Sequence, residues 1–159
     1  MIHHLQGHEV VESLTTIATP HRGSSLAKRF IDQGYDRHLA RLGIGAEAFR
    51  CLTPQFVQGL NEATPDHPDV RYYSYAGFKP RNAMSGWGRW AYDRVHEREG
   101  ANDGFVGVQG AVWGRFLGTV SAAHLELIDW RLGVRSAHRF RVLPDFYDQV
   151  LHNLAQLGH

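Results

Sequence analysis

The chain has 159 residues, 43% of them hydrophobic and 17 of them glycine, which is enough apolar material for one domain with a sizeable core. Lys and Arg number 17 against 16 Asp and Glu, so the sequence carries no electrostatic footprint for nucleic acid or for an anionic membrane surface. A single cysteine, Cys51, excludes an internal disulfide framework, and neither an apolar signal segment nor a run of roughly 18 apolar residues able to cross a bilayer is found.

Residues 11–20, VESLTTIATP, mix β-branched and apolar residues over strand length and stop at Pro20, which predicts a buried strand and a turn. SSLAKRFIDQG predicts a helix: Ser24 or Ser25 caps it, Leu26, Phe30 and Ile31 recur at helical spacing, and Gly34 ends it. Residues 35–50 are amphipathic but interrupted by Gly43 and Gly45, so they read as two short helical pieces lying over a surface. LTPQFVQGLNEATP offers Thr53 as N-cap, Pro54 at the first helical position and an apolar face of Phe56, Val57 and Leu60. DVRYYSYAG, residues 69–77, is β-branched and aromatic and predicts the second strand. From Phe78 to Gly100 the chain carries Trp87, Trp90, Tyr92 and the charged DRVHEREG, read as a loop followed by a helix.

FVGVQGAV, residues 105–112, alternates but contains Gly107 and Gly110, so it is expected to be extended without forming a regular strand. GRFLGTVSA, residues 114–122, predicts a third strand. LPDFYDQVLHNLAQLG opens with Pro144 and spaces Phe146, Val150, Leu151, Leu154 and Leu157 on one stripe of a terminal helix. There is no internal repeat or low-complexity linker. Strands alternating with helices point to an α/β class with a mostly parallel sheet.

Two residues stand out for their place in that order. Asp103, between Asn102 and Gly104, reads as an ordinary turn residue, because its neighbours tolerate left-handed backbone and the acid can bond its own backbone. His124, taken singly, reads as a surface or hydrogen-bonded structural histidine. However, Asp103 follows the second strand after an excursion and His124 follows the third directly. Loops at one edge of a parallel sheet are where such folds gather functional groups, so an acid and base pair is the competing reading.

Four blocks, VESLTTIATPHRGSSLA, LTPQFVQGLNEATPDHPDVRYYSYAG, NDGFVGVQGAVWGRFLGT and HLELIDW, stand in this order. Together they resemble the C-terminal half of α/β-hydrolase lipases, in the triacylglycerol lipase-like branch of fungi and bacteria, over roughly residues 1–132. The resemblance implies an α/β-hydrolase fold and a serine lipase or carboxylesterase. It makes Asp103 the triad acid and His124 the triad base, with lipid or small ester substrates, an acyl-serine intermediate and no cofactor.

The chain departs from that pattern at the nucleophile. None of Ser13, Ser24, Ser25, Ser74, Ser85, Ser121 and Ser136 lies in a G-x-S-x-G elbow. In the family the elbow precedes the SLTTIATPHRGS strand, and MIHHLQ resembles the far end of the helix between them. The resemblance therefore implies a single partial α/β-hydrolase domain over 1–159, with a lid-like helical insertion at about 35–63 and the nucleophile-bearing half and its oxyanion hole absent. Alone, such a chain is expected to be inactive and to self-associate through an exposed sheet edge. The alternatives are a non-catalytic remnant that binds acyl ligands or a protein partner, and a truncated gene product.

The remaining candidates read more plainly. Cys51 lies in the helix-bearing insertion rather than at an elbow, as a packed or exposed thiol. His3, His4 and His8 lack a fixed ligand spacing, with Gly7 between them, and read as solvated residues. Bacterial lipases of the family place a calcium ligand two residues after the catalytic histidine, where Glu126 stands here; no other ligand of that set is matched, so Glu126 reads as an acidic surface residue and no metal is expected. His21 and Arg22 follow the first strand, with Arg22 expected to organise that loop through carbonyl or carboxylate bonds. Phe49, Phe56 and Leu60 fit either an acyl-chain wall or the core, and their spacing does not separate the two.

Overall fold

The three segments rich in β-branched and aromatic residues form one parallel sheet in the computed structural model, which describes residues 2, 4–35, 47–128 and 144–159. Strands β1 (Ser13–Ile17), β2 (Arg71–Gly77) and β3 (Arg115–Val120) lie in that order, with Thr15 opposite Tyr73 and Gly77 opposite Val120. β2 is central, and Tyr73 to Gly77 are all buried. Burial on both faces is why its sequence is a nearly continuous apolar run rather than an alternation. Between Ser74 and Tyr75 the register slips: their partners on β3 are Phe116 and Gly118, Leu117 is the extra residue of a bulge, and Gly118 takes φ 141°.

The first crossover begins with α1 (Ser25–Asp32), capped by Ser24, whose Oγ accepts the Ala27 N–H at 3.4 Å and donates to the Phe105 carbonyl at 2.7 Å. Gly34, at φ 70°, lies just past its end. It continues through α2 (Glu47–Arg50) and α3 (Pro54–Ala63). The second crossover carries α4 (Gly86–Glu99), whose Ala91 and Val95 pack against Leu26 of α1 with Phe30 and Phe105 alongside. Leu26 and Val95 are completely buried, which is worth about 1.5–3 kcal/mol for each side chain. Two crossovers packed side by side move the sheet in one direction, as right-handed parallel connections require. The chain closes with α5 (Pro144–Gln156).

Neighbouring residues of β2 show what covers each face of the sheet. On one side Ala76 packs with Val106 and Ala111, and Ser74 Oγ donates to the Trp113 carbonyl and accepts the Trp113 N–H at 2.7 and 2.9 Å. On the other side Tyr75 meets the Phe146 ring edge-on at 5.3 Å and its hydroxyl accepts a hydrogen bond from Asn153 of α5.

Two predicted apolar faces are narrower than their spacing indicates. In α3 only Val57 is buried, whereas Phe56 and Leu60 are about half exposed. The helix is held instead by its first turn, where Gly23 leaves room for Pro54, and by Asn61, whose Nδ2 donates to the His21 carbonyl. Thr53 precedes α3 without capping it, because its hydroxyl donates to the Arg50 carbonyl. In α5 Val150 is buried but Leu151, one residue and about 100° further round, is exposed. Residues 36–46 of the expected insertion, with Gly43 and Gly45, lie outside the described residues, as do His3 and the Asp129 and Trp130 of HLELIDW. Among the described residues no helix is long and apolar enough to cross a membrane.

Candidate active site

All three strands point the same way, so the loops that follow them meet at one edge of the sheet, the edge where α/β folds bind ligands. The loop after α4 is a tight construction. Asn102 Oδ1 accepts the Gly104 N–H at 2.8 Å, its Nδ2 donates to the Gly100 carbonyl at 2.7 Å, and Gly104 takes φ 94°, a conformation that favours glycine. Asp103 sits inside this turn at 1% exposure. Its Oδ1 accepts the N–H groups of Phe105 and Val106 at 2.9 and 2.8 Å, which leaves Oδ2 aimed elsewhere. Glu99, at the end of α4, braces the same loop: Oε2 accepts the Gly107 N–H and Oε1 the Ser25 N–H at the start of α1.

Oδ2 of Asp103 lies 2.8 Å from Nδ1 of His124. A carboxylate only accepts, so Nδ1 carries the proton and donates it, and Nε2 is left as the acceptor of the neutral ring. His124 begins a short 3-10 turn directly after β3, and its own N–H donates to the Asp103 carbonyl at 2.9 Å. The ring packs on Phe105 with centroids 5.0 Å apart, and 30% of the side chain is exposed. The turn reading of Asp103 and its pairing with His124 therefore hold together: the Asn-Asp-Gly turn is what aims the carboxylate.

Both residues line a cavity of about 750 Å³. Phe30, Phe49, Leu52, Met84, Trp87 and Leu125 make much of its wall apolar, a composition suited to a small-molecule ligand. Phe49 thus belongs to the cavity, whereas Phe56 and Leu60 do not line it. Ser85, immediately before α4, is also on the wall. So are Lys79 and Glu126, which form an ion pair. The sequence signalled neither that pair, whose members are far apart in the chain, nor the wall of Met84 and Trp87, which falls where no apolar periodicity marks a face.

The other candidates lie elsewhere. Cys51 is exposed after α2. His8 stacks on His67 at 4.0 Å, His4 is exposed, and among the described residues no three metal-ligating side chains converge. Arg22 donates to the Gln109 carbonyl at 2.7 Å, tying the loop after β1 to the loop that carries Asp103. His21 stacks on Trp113, and its Nε2 is 2.9 Å from Thr16 Oγ1; burial pushes its imidazole below the usual histidine range, with Asp66 opposing the shift and Arg22 adding to it.

A parallel sheet with flanking helices, and a histidine after β3 hydrogen-bonded to an acid in the loop after α4, match the arrangement of an α/β-hydrolase-type fold. No model of a known protein family matches the chain. It is 34% identical over 125 residues to triacylglycerol lipase 2 of Saccharomyces cerevisiae, an alignment that covers 75% of this chain and 38% of that one. Among solved structures it is similar to a metagenomic carboxyl esterase, with a TM-score of 0.67 and 26% identity, covering 83% of this chain and 43% of the esterase. It is also similar to the mature form of a Bacillus licheniformis lipase, with a TM-score of 0.61 and 26% identity, covering 79% of this chain and 52% of that lipase. The chain is a relative of the lipases and esterases of the α/β-hydrolase fold. It spans under two fifths of the length of the curated lipase that it matches and about half of each solved structure.

Proposed function

We propose that Asp103 and His124 are the acid and general base of a Ser-His-Asp triad that hydrolyses carboxylic esters of the acylglycerol type, with the serine contributed from outside these 159 residues. The observation that carries this reading is the buried Asp103 carboxylate 2.8 Å from His124 Nδ1, beside an apolar cavity. In the reaction the serine hydroxyl donates to His124 Nε2 and gives up its proton there as Oγ bonds to the ester carbonyl carbon. Nδ1–H stays on Asp103, which orients the ring and stabilises the imidazolium. The imidazolium then protonates the departing alkoxide, and a water molecule repeats the sequence on the acyl-serine.

The test is to co-express the chain with a segment carrying a G-x-S-x-G elbow and its oxyanion loop, and to follow hydrolysis of a p-nitrophenyl ester. Activity that appears with the segment and disappears with His124→Ala supports the reading. A folded, active assembly whose rate survives His124→Ala overturns it. Reaction of a fluorophosphonate probe with Ser85 of the chain alone would show instead that the nucleophile lies on the cavity wall.

A second reading is favoured by the largely apolar wall of the cavity: binding of acyl ligands without hydrolysis. Saturable binding of a fatty acid, together with no gain of activity on complementation, would select it.

A further inference from the structure

Lys79 stands two residues after the end of β2, and Glu126 stands two residues after His124. Lys79 Nζ donates to both carboxylate oxygens of Glu126, at 2.5 and 2.7 Å, with 21% and 27% of the two side chains exposed. Bidentate, charge-assisted bonds in a partly desolvated site are stronger than those between neutral groups. Each member also grips backbone beside the proposed acid and base. Glu126 Oε2 accepts the N–H of Ala123, the residue before His124, at 2.9 Å. The Lys79 N–H donates to the carbonyl of Asn102, the residue before Asp103, at 3.2 Å.

The loops carrying Asp103 and His124 are therefore bridged in three places. The Asp103 carboxylate meets His124 Nδ1, and the His124 N–H donates to the Asp103 carbonyl. The third bridge runs from Asn102 through Lys79 and Glu126 to Ala123. Resting on the acid and base reading above, we propose that Lys79 and Glu126 are positioning residues that fix the His124 loop against the Asp103 loop. The need for the third bridge is physical. His124 opens a 3-10 turn of five residues, a conformation with poor hydrogen-bond geometry that holds a ring weakly by itself. A base that takes and returns a proton at Nε2 must keep Nδ1 on its partner throughout, and a single hydrogen bond leaves the ring free to swing about it. Holding Ala123 by a carboxylate that a lysine in turn holds removes that freedom. Among the described residues the charged side chains on the cavity wall are Lys79, Asp103 and Glu126, so the clamp brings a cation and an anion together next to the ring and leaves no net charge of its own there.

The test uses the 159-residue chain with ¹⁵N-labelled histidine, so it does not depend on a nucleophile. The unmodified chain should show a protected Nδ1–H signal from His124 and a protected Ala123 amide. Glu126→Gln and Lys79→Met should each speed exchange of both protons on the order of tenfold, the loss of about one hydrogen bond. The Val106 amide, which reports the acid loop, should stay where it is, and the thermal midpoint should fall by no more than a few degrees. Lys79→Arg, whose guanidinium also spans a carboxylate, should restore slow exchange. Unchanged exchange in both variants overturns the proposal. So does loss of protection that is shared by Val106 or comes only with global unfolding, since that is a general structural role. An unmodified chain with no Nδ1–H signal overturns the acid and base reading itself, and the clamp with it.

Discussion

The Asp103 carboxylate occupies the space left by the absent side chain of Gly77. A Cβ on Gly77, the last residue of β2, would lie 2.8 Å from Asp103 Oδ2 and 2.9 Å from its Cβ. The glycine is needed here for room rather than for backbone conformation, since its φ is not positive.

Gly77→Ala should therefore push Asp103 out of line with His124 while leaving β2 paired. Overpacking of this kind costs about 1–3 kcal/mol. The expected result is a lower urea midpoint together with a weakened His124 Nδ1–H signal. A variant with normal stability and an intact signal would show that the turn moves freely with the acid.

In the complemented protein, His124→Ala should remove nearly all ester hydrolysis. Asp103→Asn should cost on the order of a thousandfold or more, because an amide facing Nδ1 favours the wrong tautomer. Asp69→Asn, an exposed acid before β2, should cost little. Steady-state kcat/KM of the three variants measured side by side checks this.

Much of the frame is legible in the amino-acid sequence. β-branched runs mark the three strands, Ser24 and Gly34 mark the ends of α1, and the alternation of strand with helix marks the parallel sheet. Asp103 can be picked out because its turn needs Asn and Gly beside it. Face width is not legible: Phe56, Leu60 and Leu151 have helical spacing, but nothing in the chain says how far around a helix its neighbours reach. The Lys79 and Glu126 pair is hidden for a different reason. Forty-seven positions separate the two, and only the adjacent ends of β2 and β3 bring them together.

Glu99 offers a stability test away from the cavity. Its two oxygens accept the N–H groups of Ser25 and Gly107, and the negative charge sits at the first turn of α1, where it is favourable. Glu99→Ala strands both donors and should cost about 2–3 kcal/mol, read by chemical denaturation. Glu99→Gln should fall close to it, because one of the two N–H groups would then face an NH₂.

His21 makes stability depend on pH with a defined sign. Burial lowers its folded value, so the folded protein resists a proton that the unfolded chain accepts near pH 6.5. Its contribution is complete above about pH 6.5 and declines as the pH falls from there toward the folded value. His21→Phe keeps the stack on Trp113 and removes the titration. The stability of the unmodified chain relative to this variant should therefore drop between about pH 6.5 and 5 in urea titrations. A difference that is flat over that range would mean that water reaches the ring.

The bulge at Leu117 is an extra residue that the pairing absorbs. A bulge sets two residues of one strand against one of its partner, so the pairs on either side of it, Ser74 with Phe116 and Tyr75 with Gly118, follow one another on β2 without a gap. Gly118 takes φ 141°, a conformation that favours glycine, and carries the local kink. The place where the chain leaves the sheet toward His124 is therefore set by β2, whose Gly77 pairs with Val120 and also makes room for Asp103, so one strand locates both the acid and the histidine that meets it.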